Sequence, residues 1–338
     1  MDSLAFATGV KPTATGVIKQ SPEDFQVDEL LGFDPMLDDS ANGPHYWLHL
    51  RKTGINTRYL AELLARQNNC KLRDVGFSGM KDRHAVTTQW FSIPVKGTGP
   101  IVEQEGVELI KATQNRKKLK RGVHRENRFK ITIRDLQGFD ENVLRRIKRE
   151  GVPNYFGAQR FGHRFGNLPK AEAMFANALQ ESPRKMKRDQ RSLYLSAARS
   201  FLFNQIVSAR LANGSWMSPM GGEPMNLDGS GSVFVPGFVD GELSERLASG
   251  DIHTTGSMWG AGSDEAADNE IVQFERDLLS QWPVLRDGLV NFGLQSTRRP
   301  LRMMLKDFTW HLTDSTLELN FTLGKGAYAT SVLREILA

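Results

Sequence analysis

The chain has 338 residues, 39% of them hydrophobic and 25% charged, with a formal net charge of +5, so it has material for a large core and a length that suggests two domains. Its first stretch, "MDSLAFATGVKPT", lacks a basic region followed by an apolar run, and no apolar stretch approaches the roughly 18 residues of a membrane span, so a soluble cytoplasmic protein is expected. Cys70 is the only cysteine, which excludes an internal disulfide and a cysteine-held zinc.

In chain order, "GVIKQ", "DFQVDEL", "HYWLHLRK", "QWFSIPV", "VELIKAT" and "RFKITIRDL" read as strands. "NTRYLAELLARQNN" has a helical apolar repeat with Asn56 or Thr57 as N-cap. This is an α+β pattern with a largely antiparallel sheet. After Gly151 helices take over: Pro169 to Gln180, about Arg191 to Ala212, and a segment ending near Trp282. The Gly, Ser and Asp-rich "NGSWMSPMGGEPMNLDGSGS" and "MWGAGSDEAADNE" between them read as loops. From Arg302 strands return in "MMLKDFTWHL" and "TLELNFTL", before a last helix around Ala327 to Leu337. A sheet that resumes after a helical interlude implies an insertion. In "LYLSAARSFLFNQIV", Leu193, Ala197, Phe201 and Asn204 follow helical spacing and read as core, while "NYFGAQRFG" reads as packing at a domain junction. His45 and His49 sit in a strand-like run that holds them apart, so no metal is expected.

Positive charge is concentrated in "KATQNRKKLKRGVHRENRFK", where Glu126 is the only acid, and in the clusters Arg145 to Arg149 and Arg184 to Arg191. Arg116, Lys117, Lys118, Lys120 and Arg121 fit a phosphate-binding footprint, and equally a solvated basic turn. In "GFSGMKDRHAVTTQWFSI", Gly76 and Gly79 supply freedom for a tight bend and Asp82 is displayed on a loop ahead of a strand. Such an aspartate also occurs in ordinary turns, where it caps backbone donors.

"GMKDRHAVTTQW" resembles the signature of the TruD family of tRNA pseudouridine synthases, and "SPEDFQVDE", "HRENRFKI", "VPNYFGAQRFG", "LYLSAARSFLFNQIV" and "GAYATSVLRE" are similar to its other blocks, in the same order from about Lys19 to the end. The resemblance implies a pseudouridine synthase catalytic domain over 1–153 and 301–338, with a mixed, largely antiparallel sheet, interrupted by an inserted α-rich α/β domain over 154–300. It implies isomerisation of uridine to pseudouridine, at uridine 13 in the D-arm of tRNA, without a cofactor. Asp82 matches the family's catalytic aspartate, which suits a carboxylate acting as nucleophile or stabilising positive character at C1'. Its flanks, Lys81 and Arg83, favour the ionised form or bind phosphates. Asn127 and Phe129 lie on one face of a strand, an amide and a ring fit to read and stack a uracil, and match positions that contact the target nucleotide. Taken alone, Phe129 reads as core beside Ile131. Phe25 matches a residue bordering the target, and Lys19 the basic residue that pairs with the catalytic carboxylate. The implied partner is tRNA, with no membrane and no protein partner. The alternative is an RNA-binding or RNA-folding module whose synthase activity is secondary or lost; glycosidic cleavage without rejoining is a third reading.

Overall fold

A computed structural model describes residues 3–35, 43–96, 99–178, 180, 186–263 and 269–338. It divides into two compact units: residues 14–139 with 305–326, and residues 1–13 with 140–304 and 327–338. The fold is α+β, as the sequence implies.

The first unit is a nine-stranded sheet. Its early strands are β1 (Thr15–Ile18), β2 (Phe25–Leu30), β3 (His45–Thr53), β4 (Gly76–Phe77), β5 (Val86–Pro94), β6 (Val107–Asn115) and β7 (Glu126–Gln137). Two late strands, Lys306–Leu312 and Leu317–Gly324, join at one edge, and the order from there is β7, β2, β5, β3, β6, with β1 on β7 and β4 on β5. Only β2 and β5 run parallel. Helix α1 (Thr57–Gln67) starts where Asn56 Oδ1 accepts the Arg58 N–H at 2.8 Å, as an N-cap should. Its Leu60, Ala61 and Leu64 pack on Leu48, Leu50, Phe91 and Ile93 of the sheet. The alternating apolar residues expected of a half-buried sheet thus find their cover on one face.

The basic stretch 116–125 crosses from β6 to β7 and is fixed over the β4–β5 hairpin. Leu119 is buried and its N–H donates to Ser92 Oγ at 2.9 Å. The Gly122 N–H donates to the Ser78 carbonyl at 2.7 Å, and the His124 N–H donates to Ser78 Oγ at 2.8 Å. This crossing corrects the reason for Gly76. Neither Gly76 nor Gly79 has a positive φ, but a Cβ on Gly76 would lie 2.3 Å from the Leu119 carbonyl oxygen. Close approach of two chain segments, not a bend, excludes a side chain there.

The second unit is helical, as expected after Gly151, but richer than the sequence reading. Alongside α3 (Asn167–Ala178), α4 (Arg188–Ala212), α6 (Glu270–Leu279) and α8 (Ala329–Arg334) it contains α2 (Asn142–Glu150), α5 (Gly241–Ser249) and α7 (Pro283–Asn291). The short strand Met225–Leu227 lies in the first stretch read as loop, and its partners Val233–Phe234 and Ile252–His253 lie between the two stretches so read. Part of the second expected loop, 264–268, and Arg184 lie outside the described residues. α4 packs with α3, α6 and α7 around Phe156, Phe161, Phe175, Phe203 and Trp259. Ala197 and Asn204 are buried in it as expected, whereas Leu193 is exposed: the buried stripe of α4 starts near Ala197, and its first turns face solvent. Within α4, Arg210 is fully buried and donates through Nε and Nη2 to Glu223 and to the Ser215 and Ser218 carbonyls, while its Nη1 has no hydrogen-bond partner among the described residues, so the pair is desolvated and only partly satisfied. Among the described residues no helix is long and apolar enough to cross a membrane.

The Ser78–His124 contact generates a stability prediction. His124 Nδ1 lies 2.5 Å from Ser78 Oγ, and burial, followed by the charges of Lys81 and Lys325, pushes its pKa down from 6.5 to about 4. The folded state therefore holds the neutral ring. Stability from this group is fully present above about pH 6.5 and is lost as pH falls towards 4, to the extent of roughly 1 to 3 kcal/mol. Melting curves of wild type and His124→Asn from pH 7.5 to 4.5 should converge as the pH drops. A constant difference in melting temperature across that range would contradict a neutral, latched His124.

Candidate active site

Asp82 sits on the connection between β4 and β5 and is held in three ways. Its Oδ1 accepts the His84 N–H at 3.0 Å, the local turn typical of an aspartate. Its Oδ2 accepts a hydrogen bond from the Lys19 ammonium in an ion pair. Its main-chain carbonyl accepts from Lys52 Nζ at 3.1 Å, and that ammonium also donates to the Ile55 carbonyl at 2.6 Å. Burial pushes the Asp82 carboxyl up, but the Lys19 hydrogen bond, the His84 N–H and the charges of both outweigh it, and the net pKa falls below the usual carboxylate value. The side chain keeps 40% exposure, so an ionised oxygen remains reachable. Lys52 is fully buried, and burial pushes it down to about 8 despite the nearby Asp82 charge.

Lys19 follows β1 in the left-handed region, φ 57°, which is uncommon for a residue with a Cβ. Its ammonium lies 4.3 Å from the centroid of Phe25 as well as against Asp82. Phe25 and Phe129 meet edge to face at 6.2 Å, and Phe129 stacks on Phe321 at 5.3 Å with 25° between the planes. Both Phe25 and Phe129 are buried, at 7% and 8% exposure. Register explains the grouping: on β2 and β7, Val27 lies opposite Phe129 and Glu29 opposite Asn127, while Phe321 lies opposite Phe129 from the other side.

Lys81 and Arg83 flank Asp82 but serve different ends. Arg83 is exposed and its Nε donates to the Gly54 carbonyl at 3.3 Å. Lys81 turns inward, where its ammonium donates to Asn127 Oδ1 at 2.7 Å and lies 3.0 Å from Glu29 Oε2, with both charged side chains almost wholly buried. Burial pushes the Glu29 carboxyl up while the charge and hydrogen bond of Lys81 pull it down. Glu29 Oε1 also accepts the Trp90 N–H at 3.2 Å. The Lys81 N–H donates to Thr57 Oγ1 at 3.0 Å, whose hydroxyl donates to Gln89 Oε1 at 2.9 Å, tying the loop to α1 and β5.

The structure therefore brings Lys19, Phe25, Asp82, Asn127 and Phe129 into one sheet unit, four of them through contacts with Lys19, Lys81 or the aromatic row. Of the basic run, Arg116, Lys117, Lys120 and Arg121 are exposed, while Lys118 is half-buried with its ammonium on the Arg73 carbonyl. The other basic clusters lie in the helical unit. Arg146 of the Arg145–Arg149 cluster turns towards Glu335, at 3.5 Å. Arg188 and Arg191 line a groove of about 400 Å³ on α4 with Ser192, Ser196 and Arg199. Sequence reasoning missed Glu29, Lys52 and Phe321. For Glu29 a signal existed: alternation from Phe25 through Val27 places this acid on the buried face. Among the described residues no group of three or more His, Cys, Asp or Glu is placed to hold a metal ion.

Comparison with known proteins gives a consistent result. The profile described as tRNA pseudouridine synthase D (TruD) matches residues 3–168 and 165–336. The tRNA pseudouridine synthase D of Methylococcus capsulatus is 42% identical over 99% of this chain and 94% of its own length. That of Psychrobacter arcticus is 40% identical over 96% and 91%, respectively. A crystal structure of a Methanosarcina mazei chain assigned to TruD superposes with a TM-score of 0.70 at 21% identity, covering 97% of this chain and 95% of that one, a likeness of fold. The chain belongs to the tRNA pseudouridine synthase D family.

Proposed function

We propose that this protein isomerises a uridine of tRNA to pseudouridine, at uridine 13 in the D-arm, with Asp82 as the nucleophile. The observation that carries this reading is the carboxylate itself: ionised by its contacts, partly exposed, and set by Lys19 and Lys52 beside an aromatic row and an amide. In the reaction the C1'–N1 bond breaks, the uracil turns, C1' joins C5, N1 gains a proton and the C5 proton leaves, so the product keeps the mass of uridine. Carboxylate attack, at C1' of the sugar or C6 of the base, provides the covalent intermediate that lets the base turn without escaping. Lys19 keeps the carboxylate charged, and Lys52 fixes its main chain. Phe25 and Phe129 border the extruded base, and Asn127 reads its polar edge.

In this reading the catalytic domain comprises 1–153 and 301–338, and the inserted domain 154–300. What supports a discontinuous catalytic domain is that the sheet unit is itself built from two segments, 14–139 and 305–326; the strand pair of Val152 and Pro153 with Met303 and Arg302 lies near the proposed bounds but inside the other compact unit. The exposed members of the basic run, Arg116, Lys117, Lys120 and Arg121, together with Lys118, contact tRNA phosphates. Their support is the tie through Ser78, which fixes them over the hairpin that carries Asp82.

Mapping pseudouridine in tRNA from cells with and without the protein tests the reading as a whole; an unchanged map would reject it. Asp82→Asn is nearly isosteric yet uncharged and a far weaker nucleophile, so it should bind tRNA and form essentially no pseudouridine at saturating enzyme. Turnover near wild type would sink the nucleophile assignment.

Replacing two exposed members of the basic run, Arg116 and Lys120, by glutamine should weaken tRNA binding and flatten the log–log salt dependence by roughly 0.7 to 0.9 per lost contact. An identical slope would return this crossing to a solvated turn.

Phe129 packs against Phe321 and Phe25, so Phe129→Leu should cost about 1 kcal/mol of stability. If its ring also supports the extruded base, product formation well below the melting temperature should fall roughly ten- to hundredfold, since stacking is worth about 1 to 3 kcal/mol. A destabilised but fully active variant would remove Phe129 from the site.

A further inference from the structure

The Lys81 ammonium has hydrogens to give and no lone pair to receive, so the atom of Asn127 facing it at 2.7 Å must be the carbonyl oxygen. The orientation of this amide therefore follows from chemistry. Lys81 is itself held. Glu29 Oε2 lies 3.0 Å from the same nitrogen, with the two side chains 6% and 0% exposed, and Glu29 is fixed by the Trp90 N–H and by its place on β2 opposite Asn127. The main-chain N–H of Lys81 is tied to Thr57. The Asn127 Nδ2 makes no hydrogen bond to the described residues, and the side chain is half-buried, so its two N–H donors face whatever ligand the site admits.

This orientation has a consequence for base choice. Around N3 a uracil shows an N–H donor flanked by carbonyl acceptors, whereas cytosine shows a bare N3 acceptor with an amino donor beside it. An amide pairs with the uracil edge when Nδ2 gives to a carbonyl and Oδ1 takes N3–H on its second lone pair. Where that carbonyl is C4=O and the base keeps its place, the amide pairs with cytosine only after turning over, so that Nδ2 gives to N3 and Oδ1 takes the amino group. Turning over would bring an NH2 group against the Lys81 ammonium, donor against donor beside a buried charge. We propose that Lys81, anchored by Glu29, is a specificity-determining residue: it locks Asn127 in the one orientation that accepts a uracil edge and refuses a cytosine edge. This rests on the reading that Asn127 meets the target base, and it assigns to Lys81 and Glu29 a part that their neighbour Asp82 does not share.

The test is a ratio of binding constants, read without turnover: unmodified tRNA transcripts carrying uridine or cytidine at the modified position. Wild type should prefer uridine by about ten- to a hundredfold, the worth of one good bidentate base contact. The double variant Lys81→Met with Glu29→Gln removes both buried charges together and avoids leaving one unpaired. Its preference should fall towards one while the affinity for the cytidine transcript stays or rises. Asn127→Asp keeps an oxygen for Lys81 but has no donor to offer, and it too should lose the preference; this arm stands by itself if the double variant melts below the assay temperature. A folded double variant or an Asn127→Asp protein that keeps the wild-type ratio overturns the proposal, as does a wild type that binds both transcripts equally. Failure of the functional reading looks different: no pseudouridine forms in tRNA with the wild-type protein.

Discussion

Much of this site depends on the register of one central strand. β2 is hydrogen-bonded to β7 on one side, antiparallel, and to β5 on the other, parallel. Because side chains alternate, this register sends Phe25, Val27 and Glu29 to the face that carries Asn127 and Phe129, and a slip by one residue would send all three to the opposite face. The register is secured at its start. Asp24 is buried and accepts from Arg134 of β7 at 2.7 Å, which pins the residue just before β2 to the neighbouring strand. The aromatic row, the amide and the buried acid are then consequences of one pairing choice.

Three lysines surround the loop of Asp82, and burial gives each a different role. Lys19 is the most open, and a half-exposed ion pair such as this contributes little to stability but keeps a carboxylate charged. Lys52 is closed off from solvent and meets only carbonyl oxygens and the field of Asp82, so its ammonium serves the main chain. Lys81 is buried with a carboxylate of its own. A buried pair of this kind returns little net stability, since two desolvation penalties offset the attraction, and its retention is better explained by what it orients. The difference is electrostatic geometry: one cation for the Asp82 carboxylate, one for the backbone that carries it, one for the amide.

How much of this was legible in the sequence follows from the same physics. Asp82 stood out because a carboxylate between two cations, ahead of a strand, lies within a run that resembles a known motif. Alternation puts Asn127 and Phe129 on one face from local sequence alone, but their place in the candidate site was read from the resemblance, since Phe129 by itself reads as core. Lys19 was legible as a partner only through the resemblance. Phe321 was not, because the contacts that matter join residues far apart in the chain; Lys52 had a local signal, since alternation from Leu48 through Leu50 places it on the buried face, but nothing local says that it meets the Asp82 carbonyl. The helical unit shows another limit. α2 was read only as a cluster of arginines, and α5 and α7 were passed over, because each is only 9 residues long, about two and a half turns, and buries just two large apolar side chains. Leu193 fits the apolar period of α4, yet it lies in turns that the fold leaves in solvent.

The Ser78–His124 contact shows why the basic crossing and the Asp82 loop belong together physically. A loop of many like charges repels itself and, unanchored, would lose conformational entropy on meeting a polyanion. Here that cost is met in folding: Leu119 is buried, Gly122 and His124 are hydrogen-bonded to Ser78, and Lys325 closes on the Gly122 carbonyl at 2.8 Å. Keeping His124 neutral matters in this setting, because a further positive charge between Lys81 and Lys325 would oppose both. The exposed arginines and lysines are consequently presented from a fixed backbone, at a set place relative to Asp82. In the proposed reading, a phosphate chain on them would be positioned by the same hairpin that presents the carboxylate.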